Sequence, residues 1–246
     1  PPLTKELILK SKTKIDILQP ETLDNAFLDK LKNYGADFYI VAAYSKILKT
    51  ELINIPPKGV IGVHPSLLPK LRGASPIQSA ILNGFTTTGV TLFLVDEKVD
   101  HGTILAQQTL NCELGIINYK ELSQKLAGLS GDLLIDTLPI FTKGEIKPKP
   151  QNEDETTFTK KFTTQDGEVN IEDLKKAMNG TDKRLVDLID RKIRGLNPGP
   201  GVFPVINAKR IKLLSSDIKN EKLELKEIQF EGKNPIPFSS YNKPLI

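Results

Sequence analysis

Along the first 143 residues, apolar and polar positions fall into blocks that read in turn as helices and strands. Leu23, Phe27, Leu28 and Leu31 share one face of a 3.6-residue period, which predicts a helix over 22–34 ending at Gly35. A shorter helical pattern precedes it at 4–10, followed by the apolar patch Ile15-Asp16-Ile17-Leu18. The runs 38–43 and 59–63 are apolar on both sides, as expected of strands buried in a parallel sheet. The second run delivers the chain to His64. Ser75-Pro76 reads as an N-cap followed by proline at the first helical position, opening a helix through Ile77, Ala80 and Ile81 to Asn83-Gly84. A third strand is expected over 89–95 and an extended run over 103–109. The short turn 96–102 between them makes these two antiparallel neighbours. Residues 119–142 read as one long helix or two abutting ones, divided at Gly128 and Gly131, with Pro139 near the limit.

The pattern then changes. The polar stretch 143–161, with Pro148, Pro150 and Glu153-Asp154-Glu155, reads as a linker crossing the surface. An amphipathic helix over 181–197 stops at Asn197-Pro198-Gly199-Pro200-Gly201. Short strands follow at 202–206, 210–214 and 223–230, with Asn207-Ala208 as a tight turn, the pattern of a small sheet or barrel. The expected organisation is an α/β domain over 1–143, a linker over 144–161 and a small β domain over 162–246.

Composition narrows the picture. Of the 246 residues, 39% are hydrophobic and 26% charged, enough to bury a core in water. No apolar run approaches the ~20 residues of a membrane span. A single cysteine, Cys112, excludes a disulfide framework or a thiolate metal cluster and fits a reducing, cytoplasmic setting. The net charge of +4 is unevenly placed. Residues 1–159 hold 17 basic and 18 acidic side chains; residues 160–246 hold 17 and 12. The basic second part suits an anionic partner such as RNA, or a lysine-rich solvated surface. The chain starts at Pro1-Pro2 rather than methionine, so processing or truncation is expected.

Candidate chemistry gathers where strands end. In an α/β sheet, ligands bind outside the carboxyl ends of the strands. His64 lies at one such end, opening the constrained loop Pro65-Ser66-Leu67-Leu68-Pro69-Lys70-Leu71-Arg72-Gly73. The turn Asp96-Glu97-Lys98-Val99-Asp100-His101-Gly102 lies at another. If the two loops converge, a carboxylate would orient and tune the imidazole. A structural histidine and a solvated acidic turn are the alternatives. No P-loop, dinucleotide fingerprint, zinc-binding spacing or nucleophile elbow is present. Ser66 near His64 is not by itself a nucleophile.

Three blocks carry a resemblance: residues 64–78 (HPSLLPKLRGASPIQ), Thr88-Gly89-Val90-Thr91, and Val99-Asp100-His101-Gly102-Thr103-Ile104-Leu105. With the tail element 193–201 and the late Gly232-Lys233-Asn234-Pro235, the chain resembles the methionyl-tRNA formyltransferases of the folate-dependent formyltransferase family over almost its whole length. The resemblance implies a Rossmann-like formyltransferase domain followed by an OB-like β-barrel that helps hold tRNA. It implies transfer of a formyl group from 10-formyltetrahydrofolate, as cosubstrate and without a metal, to the α-amine of methionyl initiator tRNA. That is a step of translation initiation and one-carbon metabolism, in the cytoplasm and by a monomer. His64 matches the family's catalytic histidine and Asp100 its catalytic aspartate. Ser66, Leu67, Leu68 and Pro69 match the folate-binding segment. Ala43 and Tyr44, within 41–48, should line the pterin side, and Lys70 and Arg72 should contact tRNA.

Two departures qualify these expectations. The family places an asparagine two residues before the histidine, where this chain has Gly62. Losing one oxyanion donor typically costs about 10²–10³ in rate. Gly62→Asn is therefore expected to raise turnover. The family also begins with a strand–turn–helix and a basic loop ahead of the segment matching Pro1, so a fragment or a degenerate lineage is expected. A catalytically impaired folate- or tRNA-binding relative is the alternative to an active enzyme. A formyltransferase acting on an amino sugar nucleotide is a third reading, which the tail element disfavours.

Overall fold

The structure is a computed structural model describing residues 3–241 except Lys12, Ser45 and residues 112–115. The cysteine noted above, Cys112, lies outside the described residues. Helix α1 is Leu3–Lys10 and α2 is Asn25–Asn33. The second helix starts later than its apolar period suggests because Asp24 caps it, accepting from the Phe27 N–H. Strand β1 (Tyr39–Ala42), the short helix α3 (Thr50–Ile53) and strand β2 (Val60–His64) follow. Next come β3 (Arg72–Gly73), helix α4 (Pro76–Leu82) and the long strands β4 (Thr87–Leu94) and β5 (Ile104–Asn111).

The first sheet has the order β1-β2-β4-β5. β1 and β2 are parallel, whereas β2–β4 and β4–β5 are antiparallel. The sheet is therefore mixed rather than wholly parallel. Among the described residues β1 forms its edge, and Ile40 is 42% exposed. The short antiparallel connection predicted between β4 and β5 is present.

Helix α5 (Tyr119–Thr142) is continuous. Asn118 and Glu121 close its N-terminus with a reciprocal capping box, and Pro139 falls in the last turn and a half. Gly128 and Gly131 do not break it. Leu122 and Leu126 of α5 bury against Ile61, Val90 and Leu92 of the sheet and Ile81 of α4. On the opposite face, Leu28 of α2 and Leu52 of α3 pack over Val60.

A short strand β6 (Phe158–Thr159) pairs with β3 in parallel. The stretch expected to be a plain linker thus returns to the first sheet's loops. Helix α6 (Ile171–Asn179) was not anticipated from periodicity. Asn170 caps its start and Gly180, at φ +72°, its end. Helix α7 (Lys183–Leu196) follows. The antiparallel strands β7 (Val205–Ile206), β8 (Lys209–Lys219), β9 (Lys222–Phe230) and β10 (Ile236–Pro237) then form a second sheet in the order β10-β9-β8-β7. Asn207 and Ala208 turn between β7 and β8 with positive φ at both positions, the turn the sequence suggests.

Helix α7 serves both cores. One side buries Val186, Ile189 and Ile193 with Leu213, Leu223 and Ile228 of the second sheet. Gly195 lets α4 approach closely: a Cβ there would meet Ile81 Cγ2 at 3.3 Å. Arg194 donates from Nη1 to the Ile117 carbonyl at 2.9 Å and from Nε to Asp190 at 2.7 Å. Asp190, only 4% exposed, also accepts from Ser216 at 2.9 Å. Asn197 donates to the carbonyls of Ile193 and Leu213, both at 2.8 Å, tying the helix end to β8. These contacts explain why 193–201 stands out in the sequence. Asp190→Ala removes a buried charge partner of Arg194, and urea unfolding should show a loss of about 3–5 kcal/mol.

Candidate active site

The parallel pairing of β1 and β2 sets their carboxyl ends side by side, with Ala42 opposite Val63. Ala43 and Tyr44 therefore emerge beside His64. The antiparallel β2–β4 register sets His64 opposite Thr91 and Gly62 opposite Phe93, so these four side-chain positions share one face of the sheet. Asp100 reaches the same place from the β4–β5 turn.

His64 is 6% exposed. Its Nε2 lies 2.9 Å from the Leu71 carbonyl. A carbonyl can only accept, so Nε2 carries the hydrogen. Nδ1 then faces Asp100 Oδ2 at 3.5 Å. Burial pushes the histidine below its ordinary pKa, opposed by the Asp100 charge and the Leu71 hydrogen bond. In its neutral form the imidazole turns the Nδ1 lone pair toward the carboxylate, the nitrogen that takes up a proton. The convergence expected of the two loops is what the structure shows.

Asp100 is fixed at several points. Its Oδ2 accepts the Gly73 N–H at 2.8 Å. Its own backbone is held at φ +49°, a left-handed conformation sparsely used by residues with side chains. Gln151 Nε2 donates to the Asp100 carbonyl at 2.9 Å and to the Gly102 carbonyl at 2.8 Å. Gly102 is sterically required, because an added Cβ would overlap the Leu94 carbonyl oxygen.

Arg72, expected to contact tRNA, is 2% exposed. Its guanidinium meets Glu153 through Nη1 at 3.1 Å and Nη2 at 2.7 Å, and Gln151 Oε1 through Nε at 3.0 Å and Nη2 at 2.7 Å. Its donors are committed inside the fold, so it cannot present a charge to a polyanion. Those bonds hold the Glu153 carboxyl below the usual range. His101 extends the network, with Nδ1 2.6 Å from Asp96 and Nε2 3.6 Å from Glu153. Lys70 is exposed and remains available to a ligand.

The loop after His64 is clamped by Thr91, which is fully buried. Its Oγ1 accepts from the Leu68 N–H at 3.0 Å and from Gln107 at 2.9 Å, and donates to the Ser66 carbonyl at 2.7 Å. Ser66 Oγ donates to the Lys70 carbonyl at 2.6 Å. Ser66, Leu68 and Pro69 are buried, so three of the four residues expected to bind folate turn inward and shape the loop. Leu67 is half-buried, and Ala43 and Tyr44 are exposed at the mouth.

Phe93 settles what stands in place of a side chain at position 62. It is 4% exposed, and its ring lies over Gly62. A Cβ added there would overlap Cε1 and come within 2.5 Å of Cζ. The ring occupies the space and supplies no hydrogen-bond donor. The expectation that Gly62→Asn alone raises turnover is therefore withdrawn, since the amide has nowhere to go.

The sequence reading missed Gln151, Glu153, Thr91, Gln107 and Phe93. Gln151 and Glu153 were hidden in a stretch whose composition says only that it is polar.

Residues 4–138 match the Formyl transferase family and residues 185–224 its C-terminal domain. The match over more than half of the chain places it in the formyl transferase family. The chain is 37% identical over 205 residues to the methionyl-tRNA formyltransferase of Thermodesulfovibrio yellowstonii, covering 83% of this chain and 62% of that relative. It is 33% identical over 260 residues to that of Roseiflexus sp., covering 94% of this chain and 75% of the relative. The fold matches the solved methionyl-tRNA formyltransferase of Clostridium thermocellum with a TM-score of 0.63 at 21% identity, over 92% of this chain and 90% of that one. The chain belongs to the methionyl-tRNA formyltransferase family. It spans a little under two thirds of the length of the first of these relatives.

Two outcomes follow from the geometry. Gln151→Leu leaves the Asp100 and Gly102 carbonyls without that donor and removes an acceptor from Arg72. Urea titration should show a loss of about 1–3 kcal/mol. The second concerns pH. Because burial lowers the His64 pKa in the folded state, the unfolded chain binds the proton more readily as pH falls through about 6.5. Stability from this group is fully present above that pH and declines on acidification. Melting temperatures compared at pH 7.5 and 5.5 should show a smaller acid-induced drop in His64→Gln than in the parent.

Proposed function

We propose that this chain transfers the formyl group of 10-formyltetrahydrofolate to the α-amine of methionyl initiator tRNA. The observation that carries this reading is the His64–Asp100 pair at the carboxyl end of β2, in a chain of this family. The folate would supply a formyl carbon on N10, a nitrogen that leaves once protonated. The α-amine, with a pKa near ~8, is partly neutral at pH 7 and competent to attack. As the new C–N bond forms, the amine must lose a proton. Nδ1 of His64 faces Asp100 and is the base placed to take it. Asp100 stabilises the resulting imidazolium, which returns the proton to N10 as the old C–N bond breaks. Proton and electron pair are thereby accounted for with no further co-reactant.

Exposed Ala43 and Tyr44, with half-buried Leu67, support the folate side of the reading. On the tRNA side, the support is Lys70 and the basic second part of the chain. Binding of a polyanion there should weaken with salt. The compartment in which initiator tRNA is charged, the cytoplasm, follows from the same reading.

One observation favours a second reading, that of a folate- or tRNA-binding relative with little turnover. Phe93 fills the position where a second oxyanion donor would stand. Formylation of charged initiator tRNA separates the two, with a measurable rate expected. His64→Ala and Asp100→Ala should each lower that rate by at least about 10². An unchanged rate in both variants would place the chemistry elsewhere.

A further inference from the structure

We infer that Phe93 is a positioning residue of this site, and that residues 62 and 93 form one steric unit. The argument begins with register. Gly62 and Phe93 are directly opposed on neighbouring antiparallel strands, on the face that carries His64 two residues further along β2. Directly opposed Cβ positions lie about 4.5–5.5 Å apart, and here the ring is laid across that gap rather than standing beside it. The ring is turned over the Gly62 Cα, with Cδ1, Cε1 and Cζ all within 3.1 Å of where a Cβ would stand. It is 4% exposed, so making room at position 62 means moving a ring packed in the sheet's core. Val41 completes the row on the far side of Gly62. The wall beneath the His64–Asp100 pair is therefore an aromatic ring leaning on a bare backbone.

The unit has a consequence for chemistry, which rests on the formyl-transfer reading. While Phe93 is present, no side chain from position 62 can offer a donor beside the imidazole. Hydrogen bonding by side chains from β2 is left to His64. Shortening residue 93 opens that space, and only then can a polar residue at 62 reach it. Phe93 sets the polarity of the wall without touching the reacting atoms.

The test is a double-substitution cycle on the full chain, using Gly62→Asn, Phe93→Ala and the two together. Urea unfolding reads the steric unit without any assay of activity. Each single variant should lose stability, the first by overlap and the second by a cavity. The double variant should show an unfolding equilibrium constant at least tenfold below that predicted by adding the two losses. If Gly62→Asn proves insoluble, Gly62→Ala in both backgrounds supplies the same cycle. Formylation kinetics read the second consequence. Adding Gly62→Asn to the Phe93→Ala background should raise kcat at least tenfold with little change in the KM for folate. A merely structural role for Phe93 would not produce that split. Additive losses, or a Gly62→Asn protein as stable as the parent, would overturn the steric unit. A coupled cycle with an unchanged kcat overturns the positioning role. If no variant or parent formylates tRNA while the stability cycle is coupled, the formyl-transfer reading fails and the steric unit stands.

Discussion

The Gly73 N–H donates to Asp100 at 2.8 Å, and the whole site hangs from this bond. It joins the loop leaving β2 to the turn between β4 and β5, two segments of chain that share no ladder hydrogen bonds. Both are bent into unfavourable backbone at the junction. Leu71 sits at φ +62° and Asp100 at φ +49°, conformations that cost of order 1–3 kcal/mol each for residues with side chains. Gly73, at φ +106°, takes the most extreme bend and can do so because it lacks a Cβ. That strain persists only where the surroundings over-determine it. Here they do so through a third segment. Residues 149–159 run back across both loops, bonding Leu71 and Arg72 through Thr157, pairing β6 with β3, and holding Asp100 and Gly102 through Gln151.

Charge reinforces the same junction. A fully buried guanidinium would be costly without partners, and Arg72 has two, one charged and one neutral. Glu153 neutralises it while Gln151 passes its hydrogen bonds on to the Asp100 backbone. The arginine thereby acts on the aspartate through another residue, with no direct contact between the two. His64 sits in the opposite balance. Desolvation pulls its pKa down, while the Asp100 charge and the Leu71 hydrogen bond oppose that shift.

Much of this was legible from the chain. Periodicity placed α2, β1, β2, α4, β4, β5, α5 and α7, because each carries its burial in local spacing. The convergence of His64 and Asp100 followed from their positions at strand ends. What stayed hidden depends on contacts between segments distant in the chain. Arg72 reads as a surface cation because arginine generally is one, and its partners lie roughly 80 positions away. Residues 149–159 read as a linker because polar composition does not distinguish a slack tether from a strap bonded to the loops it crosses. The first helix of the C-terminal part, α6, was missed although Ile171, Leu174, Ala177 and Met178 share one face, because it spans only nine residues directly after a polar stretch.

Gly62 illustrates the same limit at a single position. Read along the chain it is a subtraction, a residue that lost its side chain. Read across the sheet it is the position that Phe93 covers. Glycine weakens a strand by roughly 0.5–1 kcal/mol relative to alanine, through lost packing and gained unfolded-state freedom. An aromatic ring laid over it from the opposed position restores apolar contact to the exposed backbone, a device known from sheets in which aromatic residues cover glycines. The β2–β4 register makes Phe93 the residue that can do this, and the packing of its ring shows that it does. That is why the two positions have to be weighed together before either is assigned to structure or to chemistry.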